Sequence, residues 1–109
     1  MRKQKSGRII NISSGVVFMG RPHYLHYVAS KGAVMSMTRA MAREAGDFGI
    51  NVNCIVPGTI DTPQNRKDMP KADFSTWVAP EDIAHVIAFL LSDEARSVTG
   101  AAVPVTGRS

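Results

Sequence analysis

Two short apolar runs, Arg8-Ile9-Ile10-Asn11-Ile12-Ser13 and Ile50-Asn51-Val52-Asn53-Cys54-Ile55-Val56, flank one long stretch of helical periodicity. Each run is rich in β-branched residues and reads as a buried strand; the second is closed by Pro57-Gly58. Between them, Val28, Ala29, Ala33, Val34, Met37, Ala40, Met41 and Ala45 recur every three or four residues from about Tyr24 to Ala45, with Gly46 as the stop. Two strands joined through a helix lie parallel, and such crossovers are right-handed. That constraint assigns the chain to the α/β class before any other residue is considered.

The remaining segments extend the same plan. Gly15 to His23 reads as a loop punctuated by Gly20 and Pro22. Thr59 to Val78 has no firm periodicity and holds Pro63 and Pro70; unpatterned segments of this length in small domains are usually lids or binding loops. Pro80 opens a second helix at its first-turn position, with Glu81 and Asp82 near the positive end of the dipole. Ala79 before it is a poor cap. Ile83, Val86, Ile87, Leu90 and Leu91 form the apolar face of that helix, and Gly100 to Val105 reads as a third strand. The expected architecture is a partial doubly wound parallel sheet of three strands and two main helices, forming one unit over residues 1–109.

Composition narrows the function classes. With 44% hydrophobic and 20% charged residues, the chain has the balance of a folded globular protein. A single cysteine, Cys54, excludes an internal disulfide and sits in an apolar run as a small buried hydrophobe. The longest uninterrupted apolar stretch, Val86 to Leu91, is far short of the roughly 20 residues a bilayer requires. The basic start, Met1 to Arg8, leads into a strand and lacks a secretory core, so the expectation is a cytoplasmic protein with no membrane partner. The net charge of +4 brings no stacking aromatics or zinc-finger spacing, so no nucleic-acid partner is expected. His23, His26, His85 and Cys54 form no ligand set at metal spacing, and no metal site is expected.

Chemistry concentrates at Ser14, Tyr27 and Lys31. Tyr and Lys four residues apart share one helical face, so the ammonium can sit near the phenol. A free phenol titrates near about 10, and a cation at close range favours its ionised form. Ser14, at the end of the first strand, can reach the same point and hold a developing oxyanion. Alternation along the strand points Ser13 to the opposite face. Tyr24 has Val28, not a lysine, four residues later; His23 and His26 are expected to contact solvent or a partner. An acid, a cation that tunes it and an oxyanion partner suit the interconversion of a carbonyl and an alcohol.

The chain resembles the C-terminal part of the short-chain dehydrogenase/reductase family. The likeness runs from Gly7 to about Val105 and is carried by Ile10-Asn11-Ile12-Ser13-Ser14, Tyr27-Val28-Ala29-Ser30-Lys31, Gly49-Ile50-Asn51-Val52-Asn53 and Pro57-Gly58-Thr59-Ile60-Asp61-Thr62. Pro80-Glu81-Asp82-Ile83-Ala84, Ser92-Asp93-Glu94-Ala95 and Val98-Thr99-Gly100 complete it. Asp61 to Trp77 is also similar to the corresponding stretch of dihydropteridine reductase. The family ending is more often Asp-Gly-Gly-like than Val103-Pro104-Val105-Thr106-Gly107-Arg108. The family's glycine-rich cofactor turn and its Asn-Asn-Ala-Gly segment have no counterpart here, so a fragment lacking the N-terminal cofactor-binding half is expected.

The resemblance implies hydride transfer between NAD or NADP and a small carbonyl or alcohol substrate, with Ser14, Tyr27 and Lys31 catalytic. It implies cofactor binding by Tyr27, Lys31, Pro57, Gly58, the Ile60 backbone and Thr62. Asn65, Arg66, Met69 and Trp77 are candidate substrate residues in the lid. It further implies a homo-oligomer, dimer or tetramer, in which the Tyr24 to Ala45 helix takes part. Two alternatives stand beside it: a non-catalytic α/β fragment without cofactor binding, and a basic interaction module built on the first eight residues.

Overall fold

The computed structural model describes all residues, Met1–Ser109. Three strands, β1 (Gly7–Ile12), β2 (Ile50–Pro57) and β3 (Ala102–Val105), form one sheet in the order β1-β2-β3, and both pairings are parallel. Gly7 faces Ile50 and Ile12 faces Ile55 along β1 and β2; Cys54 faces Ala102 and Pro57 faces Val105 along β2 and β3. Pairing continues past the end of β1, where the Ser13 amide donates to the Ile55 carbonyl at 2.8 Å and the Gly15 amide to the Pro57 carbonyl at 2.9 Å.

The helices are α1 (Val16–Met19), α2 (Leu25–Ala45), α3 (Pro63–Asp68) and α4 (Pro80–Leu91). β2 is the centre of the sheet and is buried along nearly its whole length, as a strand covered on both faces must be. Alternation divides its side chains. Ile50, Val52, Cys54 and Val56 pack towards Met35 and Ala42 of α2, and Ile55 packs towards Ile83 and Leu90 of α4, with Val78 between. Cys54 is fully buried, as its place in the run implies, and burial raises its thiol above the ordinary range against a weaker opposing contact with Thr38.

The long α2 spans the expected segment and ends at Ala45, with Gly46 as its C-cap. Gly46 keeps right-handed geometry, φ −56°, and the chain runs on through a 3-10 turn, Gly46–Phe48. The reversal falls at Gly49, whose φ of +66° and close approach to the Lys5 carbonyl admit no Cβ. Gly15 to His23 also differs from a plain loop, because Val16–Met19 closes a helical turn that ends at Gly20 with φ +72°. Thr59 to Val78 holds α3 and a 3-10 turn, Phe74–Thr76, too short for periodicity to reveal. α4 begins at Pro80 behind an uncapped Ala79, as expected.

Buried polar side chains tie the layers together. Thr38 of α2 donates to the Val34 carbonyl at 2.7 Å and accepts from Asn11 of β1 at 3.0 Å. Asn53, 1% exposed, uses both ends of its amide on the segment before β3: its Nδ2 donates to the Val98 carbonyl at 2.9 Å, and its Oδ1 accepts the Ala101 amide at 3.0 Å.

The molecule measures 49 × 28 × 18 Å with a radius of gyration of 15.4 Å. A compact domain of this length has a radius near about 13 Å. β1 lies at an open edge of the single sheet, and none of its residues is fully buried. Asn53→Ala strands two partly buried backbone groups, the Val98 carbonyl and the Ala101 amide, and is expected to cost about 1–3 kcal/mol in urea unfolding. Asn51→Ala removes a bond to the Arg96 carbonyl at the surface and should cost less. Equal losses would show that Asn53 is no clamp.

Candidate active site

The carboxyl ends of β1 and β2 open into a cleft of about 540 Å³. Open α/β sheets bind ligands at this edge because the loops leaving parallel strands diverge there. One wall is the turn after β1 with α1, the second is the first turns of α2, and the third runs from Pro57 to Ile60 and on to α3. Ser14, Tyr27, Lys31, Pro57, Gly58, Ile60, Asn65 and Met69 all line this one space, although they are scattered over more than fifty positions of sequence.

Each is held by local structure. The Ser13 and Gly15 amides are tied to β2, so Ser14 is carried at the rim of the sheet, and its Oγ accepts weakly from the Val16 amide at 3.4 Å. Ser13 is buried, 3% exposed, and its hydroxyl donates to the Lys31 carbonyl at 2.7 Å. The two serines therefore divide as alternation requires: Ser13 anchors α2, and Ser14 keeps a hydroxyl proton free.

Lys31 Nζ donates to the Ile12 carbonyl at 3.1 Å and stands 5.9 Å from the centroid of the Tyr27 ring. The ammonium thus stands between the end of β1 and the Tyr27 ring. Tyr27 remains 38% exposed and open to the cleft.

Ile60 pairs with Val78 in an isolated parallel bridge through the flanking residues: the Val78 amide donates to the Thr59 carbonyl and the Asp61 amide to the Val78 carbonyl. The groups of Ile60 itself point the other way. Its carbonyl accepts Asn65 Nδ2 at 2.8 Å, and its amide has no partner within the chain. A free backbone donor in a cleft that also holds a lysine, a phenol and a hydroxyl fits the carboxamide and ribose end of a nicotinamide nucleotide.

Three sequence candidates stand outside the lining. Thr62 caps α3, its Oγ1 accepting the Asn65 amide at 3.1 Å. Arg66 grips Asp61 with two bonds of 2.7 and 2.9 Å and lies 4.6 Å over the Phe74 ring. Trp77 packs on Phe74 with centroids 4.8 Å apart. Asp61, Arg66, Phe74 and Trp77 form a connected strut outside the cleft lining that ties α3 to the segment after it. Conversely, Arg21, Thr59, Thr106 and Ser109 line the cleft without a sequence signal, because only folding brings the loop before α2 and the residues after β3 to this rim. His23, His26 and His85 are exposed, and no group of His, Cys, Asp or Glu is placed to hold a metal.

Comparisons with known proteins place the chain in a family. A family model described as enoyl-(acyl carrier protein) reductase matches residues 1–107. The chain belongs to the short-chain dehydrogenase/reductase family. Among its curated relatives, 3-oxoacyl-(acyl-carrier-protein) reductase of Pseudomonas aeruginosa is 43% identical over 98% of this chain and 47% of its own length. Cyclohexanol dehydrogenase of a Rhodococcus species is 40% identical over 98% of this chain and 44% of its own. A solved 3-oxoacyl-(acyl-carrier protein) reductase with bound NAD from Brucella melitensis superposes with a TM-score of 0.84 at 33% identity, covering 99% of this chain and 42% of that one. For 4-hydroxyisoleucine dehydrogenase complexed with NADH the TM-score is 0.82 at 38% identity, with 96% and 47% covered. The chain thus spans about half the length of the relatives it matches.

The strut carries a pH dependence. Hydrogen bonding from Arg66 holds the Asp61 carboxyl below its usual range, outweighing an opposing effect of desolvation. A carboxylate with a lowered folded-state value stabilises the fold above the ordinary range near about 4 and loses that contribution as pH falls through the lowered value. Protection of the Arg66 and Met69 amides of the lid, taken as exchange relative to the intrinsic rate at each pH, should therefore be constant from neutral pH to about 4 and fall below it. Asp61→Asn should abolish that transition; a wild-type lid equally protected throughout would show that the pair does not hold it.

Proposed function

We propose that the protein is a NAD(P)-dependent oxidoreductase that interconverts a small carbonyl compound and its alcohol, with these residues forming its catalytic half. The observation that supports this best is the convergence of Ser14, Tyr27 and Lys31 on a single cleft at the carboxyl edge of the sheet. When bound, the nicotinamide cofactor supplies or accepts hydride. Lys31, Tyr27, the turn at Pro57 and Gly58, and the free Ile60 amide would hold its reactive end, with Thr62 acting through the α3 turn that it caps.

In the reductive direction Tyr27 Oη donates its proton to the substrate carbonyl oxygen as negative charge grows there. Lys31 stabilises the phenolate left behind, and its bond to the Ile12 carbonyl prevents it from swinging away. Ser14 Oγ donates a hydrogen bond to the same oxygen. Oxidation runs through the same groups in reverse, with the phenolate accepting the alcohol proton. Asn65 and Met69 supply the substrate-facing side of the lid, while Arg66 and Trp77 act on substrate through the position of α3. No helix is long and apolar enough to cross a membrane. The reading extends to a cytoplasmic homo-oligomer in which α2 takes part.

In the intact protein, Tyr27→Phe should lower kcat by about 10²–10⁴-fold with little change in cofactor affinity. Ser14→Ala should lower kcat by about 10²-fold, and Ser13→Ala should act on stability instead. Undiminished turnover by Tyr27→Phe would refute the assignment.

A further inference from the structure

Arg21 is a charged residue in the cleft wall that the acid–base scheme does not use. Arg21 and Lys31 are the charged side chains lining the cleft, and no Asp or Glu lines it. Lys31 is committed to the Ile12 carbonyl and Tyr27. Arg21 has neither a carboxylate partner nor a side-chain hydrogen bond, since the one salt bridge of the structure joins Arg66 to Asp61.

Its guanidinium is nevertheless held in place. It lies 4.1 Å over the Tyr24 ring, so one planar face is occupied while the N–H edges stay free. The backbone beneath is fixed at both sides. Gly20 and His23 have φ of +72° and +68°, Pro22 restricts Arg21 to extended geometry, and the Tyr24 amide closes a turn on the Arg21 carbonyl at 3.2 Å. A non-glycine residue in the left-handed region costs about 1–3 kcal/mol, a strain typical of loops held in place for a ligand. The lining of the same cleft includes the exposed apolar side chains Phe18, Met19 and Met69.

We propose that Arg21 sets substrate specificity by binding the carboxylate of a short keto acid or hydroxy acid, while Phe18, Met19 and Met69 receive its carbon skeleton. A guanidinium fork matches a carboxylate through two parallel hydrogen bonds, and an apolar surround strengthens them. The inference rests on the carbonyl–alcohol reading above, and its test separates the two.

The experiment compares acetoacetate with ethyl acetoacetate in the intact protein and in Arg21→Met. The two compounds share a ketone, and only the first carries a carboxylate. Arg21→Met should lower the ratio of kcat/KM for acetoacetate to that for ethyl acetoacetate by about 10–100-fold, the range of a charge-assisted hydrogen bond. Arg21→Lys, which keeps charge but loses the fork, should recover part of the ratio. An unchanged ratio would overturn the proposal. A loss of NADH affinity in Arg21→Met with the ratio preserved would assign the residue to cofactor phosphates and also overturn it. Should neither ketone turn over, the carbonyl–alcohol reading fails, and equilibrium binding of acetoacetate read by amide chemical shifts decides: saturation lost in Arg21→Met supports the carboxylate site, and no saturation in wild type overturns it.

Discussion

Parallel pairing of β1 with β2 carries everything else in this molecule. It joins segments more than forty residues apart in sequence, and it does not stop where β1 stops. The Ser13 and Gly15 amides continue the ladder onto Ile55 and Pro57, so the turn bearing Ser14 is fixed by main-chain bonds. Ser13 then donates to the Lys31 carbonyl and Lys31 to the Ile12 carbonyl, which sets α2 against the same rim. Backbone bonds and one buried hydroxyl thereby place three side chains from two elements without any direct bond among those three. A site built on strand ends and the first turns of a helix is held more rigidly than one built on loops alone.

The second constraint is the double burial of β2. Val52, Cys54, Ile55 and Val56 are fully enclosed, and α2 and α4 clamp them from opposite sides. β1 has no such protection on its outer edge, and the molecule is broader than a compact domain of its length. Rigidity is therefore unequal. It is greatest at β2 and the Asn53 clamp, and it falls towards β1 and towards the lid, where Arg66 and Asp61 meet in partly solvated surroundings.

Much of this was legible beforehand. The three strands, α2 and α4 follow from apolar spacing alone, because each buries a whole face whose period shows. Tyr27 and Lys31 were legible for the same reason: a spacing of four is a property of one helix. Ser14 could be separated from Ser13 by strand alternation. Short elements were not legible, since α1, α3 and the 3-10 turns bury too little to imprint a period. α2 ends at Ala45 with Gly46 after it, as the sequence implies, while the 3-10 turn that leads on to the left-handed Gly49 is too short to show a period. The place of Arg21 in the cleft wall was not legible, since only folding brings the loop before α2 to a rim that no Asp or Glu lines. Arg66 and Trp77 are not among the residues that line the cleft, whereas Asn65 and Met69 are, a distinction that loop composition does not encode.

The most direct measurement is a crystal structure of the intact protein with NADH. The nicotinamide is expected in the cleft between Tyr27 and Ile60, its carboxamide oxygen accepting from the free Ile60 amide and its ribose in contact with Lys31. A nicotinamide bound away from this cleft, or a cleft whose Ile60 amide and Lys31 make no contact with it, would contradict the assignment of the site.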